Sequence, residues 1–104
     1  MKTVRIIGNK DFTDADFIMN QLEYLFGVNA LPESFEVISA NTAGAEAVIT
    51  PLLKEAGITV IETVEPSEVD ILVVFYLDES DPVYQPMMEQ WRNHKPVYPF
   101  KVHL

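Results

Sequence analysis

The run DILVVFY, Asp70 to Tyr76, constrains this chain more than any other segment. From Ile71 to Phe75 it is apolar without interruption and rich in β-branched residues, so a strand formed there has to be covered on both faces. A strand of that kind belongs inside a parallel sheet with helices on both sides.

The segments around it supply the other parts. Thr3 to Ile7 is a second β-branched run, closed by Gly8. Thr13 is then a candidate helix cap, and Asp14 and Asp16 suit the positive end of a helix dipole. Ile18, Leu22, Leu25 and Phe26 recur at helical spacing up to Gly27, which is expected to end the helix. Val28 to Ser34 reads as a loop and Phe35 to Ser39 as a strand. Ala45, Val48, Ile49, Leu52 and Ala56 share one face of a second helix that stops at Gly57, with Pro51 implying either a kink or a restart. Ile58 to Ile61 is expected as the third strand. A third helix begins at about Pro82, with Tyr84, Met87, Met88 and Trp91 on one stripe that is read as core. Pro96 to Val102 carries two prolines, which suit an edge strand.

Strands alternating with helices predict one domain over residues 1–104. Its fold class is α/β, a three-layer α/β/α Rossmann-like sandwich with a mostly parallel five-stranded sheet in the order 3-2-1-4-5. One link strains this order. Thr63 to Val69 has to span about 22 Å, from three strand spacings of about 4.8 Å and a strand of about 17 Å. Six or seven residues reach at most about 24 Å. A shortened or displaced third strand is the alternative.

Composition narrows the function. A formal net charge of −9 repels a phosphate backbone, so a nucleic-acid partner is not expected. The chain lacks cysteine, which removes disulfides and thiolate metal sites and suits the cytoplasm. His94 and His103 lie near the C-terminus without zinc spacing, and neither a membrane span nor a signal peptide is expected. No cofactor is implied.

In open α/β sheets ligands sit beyond the carboxyl ends of the strands. Three loops meet there: Gly8 to Phe12, Ala40 to Glu46, and Leu77 to Asp81. Ala40, Ala43, Gly44 and Ala45 leave room for an anion to approach main-chain N–H groups at a helix start, although small residues also serve tight helix–sheet packing. Lys10 is either a phosphate partner or a solvated loop lysine. Asp11 suits a ribose hydroxyl or a loop cap, and Glu46 a ribose or the helix dipole. Asp78, Glu79 and Asp81 suit either Mg²⁺ or a solvated acidic loop.

The strings IIGNKDFTD, VISANTAGAEAV…EAGITVIE and VDILVVF resemble the YspA-like branch of the SLOG superfamily, which includes the LOG phosphoribohydrolases. That branch typically carries Gly-x-Arg-Asp-aromatic after its first strand and Gly-Gly-Ala-x-Gly-Ala-Asp after its second. Gly8, Lys10, Asp11 and Phe12 match the first with Lys for Arg, and Thr42, Gly44, Ala45 and Glu46 fall on the second with Glu for Asp. Ala40 and Asn41 replace the paired glycines, the segment between strands three and four is short, and the Pro-Gly-Gly-x-Gly-Thr segment of the LOG enzymes is absent.

The resemblance implies binding of a nucleotide or nucleotide-derived small molecule at Gly8, Asn9, Lys10, Asp11, Asn41, Thr42, Gly44 and Glu46. It also suggests an alternative, N-glycosidase chemistry with Glu46 or Glu79 as candidate catalytic residues. A third reading is a degenerate member that binds protein, including a homodimer, through Tyr84, Met87, Met88 and Trp91.

Overall fold

The computed structural model describes residues 1–66 and 68–104. Its elements are β1 (Lys2–Gly8), α1 (Ala15–Gly27), β2 (Phe35–Ser39), α2 (Ala45–Glu55), β3 (Val60–Glu62), β4 (Ile71–Tyr76), α3 (Tyr84–Arg92) and β5 (Val97–Lys101). The strands form one sheet in the order β3-β2-β1-β4-β5, and every pairing is parallel. This is the α/β Rossmann-like sandwich that the sequence predicts.

Strand parity explains the layers. Val4 and Ile6 of β1, Val37 of β2, and Val73 and Phe75 of β4 face α1 and α2. They meet Ile18, Leu22 and Leu25 of α1 and Ile49 and Leu53 of α2 in one cluster. Ile7, Leu72 and Val74 face the other way and meet Met87 of α3. β4 is buried on both sides, as its unbroken apolar run requires. At the carboxyl end Phe12, Phe75 and Phe100 stack in sequence, with ring centroids 5.8 and 5.4 Å apart, and close the top of the larger cluster. The aromatic residue of the first loop is therefore core.

The strained link is relieved by registry. Val60, Val37, Val4 and Ile71 lie level across the sheet, so the chain leaves β3 at Glu62 only two residues above the level at which β4 begins. The return is about 7 Å instead of a full strand. A short β3 is what makes the order feasible. The expected strand at Ile58 to Ile61 is displaced because Ile58 still belongs to the helix ending: its N–H donates to the Leu53 carbonyl.

Among the described residues, all three helices end in the same motif. The residue after the cap is left-handed, its N–H reaches the carbonyl three back, and the next N–H reaches the carbonyl five back. Asn29 (φ 63°), Gly57 (φ 83°) and His94 (φ 57°) hold that position. Gly57 thus ends α2 as expected, whereas Gly27 stays inside α1 and Asn29 makes the turn. Asp14 caps α1, accepting from the Phe17 N–H at 3.0 Å, in place of Thr13. α2 runs unbroken through Pro51, so the helix does not restart there. β5 occupies a sheet edge with Pro99 in it. Among the described residues no helix is long and apolar enough to cross a membrane.

Candidate functional site

The connection after β1 leads to β2 on one side of the sheet, and the connection after β4 leads to β5 on the other. A crevice therefore opens between the carboxyl ends of β1 and β4, where the two loops separate. A cavity of about 380 Å³ lies there. It is bordered by Gly8, Asn9 and Lys10 of the first loop, Thr42 and Ala43 of the second, and Asp81 of the third, while Arg5 forms part of its floor and Pro82, Val83 and Pro86 one wall.

Close packing at two glycines draws these loops together. A Cβ on Gly8 would stand 2.6 Å from Ala45 Cβ. Gly44 (φ 99°) caps α2, and a Cβ there would stand 2.0 Å from the Asn9 carbonyl oxygen. Only glycine brings the start of α2 so close to the Asn9–Lys10 backbone. Gly44 thus lies behind the cavity wall, pressed on the first loop. Among the described residues the N–H groups of Ala43, Gly44 and Ala45 take no hydrogen-bond acceptor. Of these, the Ala43 N–H borders the cavity at the positive end of α2, whereas Gly44 and Ala45 are buried behind it.

Asn9 ties the loops laterally. Its Oδ1 accepts from the Asp11 N–H at 2.9 Å, and its Nδ2 donates to Asp81 Oδ2 at 3.0 Å. Asp81 also accepts from the N–H groups of Leu77 and Val83 and is 6% exposed. The acidic loop therefore divides. Asp81 turns inward as a brace, while Asp78 accepts from Ser80, whose side-chain and main-chain hydrogen bonds hold the Asp78 carboxyl below its usual range. Asp78, Glu79 and Asp81 do not converge on one point, and no cluster of three or more metal-ligating side chains forms among the described residues.

Glu46 is 1% exposed and does not border the cavity. Arg5 donates to it through Nε at 2.9 Å and through a terminal nitrogen at 3.1 Å, and Thr42 donates from both its N–H and its hydroxyl. Burial alone pushes the Glu46 carboxyl up. The hydrogen bonds from Arg5 and Thr42, with the guanidinium charge, outweigh it and hold the pKa below the usual glutamate value. Every lone pair on Glu46 that faces these donors is engaged, so the carboxylate fixes the second loop and offers nothing to a substrate. Asn41 also lies apart. It takes a positive φ of 54° in spite of its Cβ and donates to Glu62, which pairs with Lys54 at 2.6 Å.

Of the residues singled out from the sequence, the fold brings Gly8, Asn9, Lys10 and Thr42 to the cavity, with Gly44 directly behind. Asp11, Asn41 and Glu46 do not border it, and Glu79 lines a neighbouring depression with Tyr76 and Tyr84. Arg5 stands at the cavity as well, beyond the residues expected from the sequence. The signal was present, because one arginine inside an apolar strand needs a buried partner. The α3 stripe divides as well: Met87 is 7% exposed and Trp91 is 64% exposed, so Trp91 is not core. Comparison with family models, with curated proteins and with solved structures finds no match for this chain.

Proposed function

We propose that this chain captures a nucleotide or nucleotide-derived small molecule in the crevice between β1 and β4. The supporting observation is the convergence on one cavity of Lys10 and the Thr42–Ala43 turn, whose Ala43 N–H takes no acceptor among the described residues. Lys10 is exposed and forms no ion pair among the described residues, so its ammonium group is free to meet an anion. The volume lies within the roughly 300–1,000 Å³ of small-molecule sites. Phosphate would rest on Lys10 and the Ala43 amide, while the Asn9–Asp81 hydrogen bond holds the first and third loops in place around it. The likeness of the two loops to the SLOG pattern agrees with this reading, and the absence of cysteine agrees with a cytoplasmic setting.

The proposal is for binding without catalysis, since Glu46 is committed to Arg5 and Glu79 lines a different depression. A screen of nucleoside mono- and diphosphates by thermal unfolding tests it. A stabilising ligand should raise Tm progressively with concentration, and Lys10→Glu should abolish the rise while leaving the unliganded Tm within about 1 °C, as expected for an exposed side chain. A flat response across the panel sinks the reading.

One observation favours a second reading. The exposure of Trp91 on α3 leaves a large aromatic side chain open to a protein partner or a second copy. Sedimentation of the wild type against Trp91→Ser checks this. A concentration-dependent dimer lost in the variant supports it, and a monomer at all concentrations removes the homodimer.

A further inference from the structure

A second cavity, of about 280 Å³, lies at the opposite edge of the sheet between α1 and α2. Its walls are Met19, Leu22, Leu31, Phe35, Leu53 and Ile58, with no hydrogen-bonding side chain among them. At its mouth stand the exposed residues Glu23, Phe26 and Gly27, all in the second half of α1. Phe26 is 50% exposed, and the space where a Gly27 side chain would begin is open to 4 Å. Nothing polar inside would hold ordered water, and apolar voids of about 150 Å³ already accept a benzene ring.

The mouth has a definite charge. Glu23 is the one ionisable side chain in the lining and forms no ion pair among the described residues. The last turn of α1, which carries the negative end of the helix dipole, has no basic residue to offset it. The exposed Phe26 ring adds a face that attracts cations. We infer that this cavity is a binding site for a small amphiphilic amine, with an aryl or alkyl stem among Leu22, Leu31 and Leu53 and its ammonium group at Glu23 and the carboxyl end of α1. The inference is independent of the nucleotide site, which uses the other edge of the sheet.

Methyl-resolved NMR titrations with 3-phenylpropylamine, 3-phenylpropan-1-ol and 3-phenylpropanoate test it. The amine should shift the methyl signals of Met19, Leu22, Leu31 and Leu53 and bind most tightly, the alcohol next and the carboxylate last. Glu23→Gln, an exposed change that leaves the fold intact, should weaken the amine about three- to five-fold and leave the alcohol unaffected. Three results overturn the inference: no shift of those methyls up to the solubility limit, a carboxylate that binds as tightly as the amine, or amine binding that Glu23→Gln does not change. A ligand-free dimer in sedimentation whose interface occupies these same methyls also overturns it.

Discussion

Arg5 and Glu46 are separated by 41 positions in the chain and meet beneath the second loop, where Glu46 pairs with no other cation among the described residues. Removing one partner from a buried pair leaves the other charge uncompensated, so Arg5→Met should destabilise the fold by about 3–5 kcal/mol, read from urea denaturation. Titration gives a second check. The folded pKa of Glu46 lies below the unfolded one, so its contribution is fully present above about pH 4.3 and disappears as pH falls through the depressed folded value. The stability gap between wild type and Glu46→Gln should therefore close on acidification, and a gap that is constant from pH 7 to 3 contradicts this assignment. His94 illustrates a different cost. It occupies a left-handed position that glycine fills freely, so His94→Gly should stabilise by about 1 kcal/mol, with a higher Tm. None of this was legible from His94 itself, because the requirement for positive φ arises from the hydrogen bonds of Trp91 and Gln90 that close α3.

Helices and strands were legible where periodicity was long and illegible where a few residues decided. β4 and the stripe on α1 declare themselves through many apolar residues, whereas β3 is three residues long and its position depends on Ile58 being held by the ending of α2. Helical spacing assigns Trp91 to the core because it gives a stripe but not its width. α3 turns Met87 and Gln90 inward, and Trp91 lies beyond that narrow face. In α2, Pro51 leaves the Ala47 carbonyl without its helical N–H donor. Pro51→Ala restores that bond and should stabilise by up to about 3 kcal/mol. Gly44→Ala should act the other way. It places a methyl group against the Asn9 carbonyl at a φ of 99° and should cost about 2–3 kcal/mol or more, by the same denaturation assay.

Across the whole molecule, doubly wound topology decides where a ligand can sit. Reversal of the winding at β1 and β4 opens a crevice at the carboxyl edge, and the short β3 permits that order across a short β3–β4 link. The loops that form the crevice were legible from where strands end. Which of their side chains face it was not, because Glu46 is drawn inward by Arg5, Asn41 outward by Glu62, and Asp81 across by Asn9. These are contacts between segments that no local spacing reveals. Amide chemical shifts recorded while a nucleoside monophosphate is titrated into the protein test ligand capture most directly. The account predicts saturable shifts centred on Lys10, Thr42 and Ala43, all lost in Lys10→Glu. Shifts that bypass these amides, or none at millimolar ligand, contradict it.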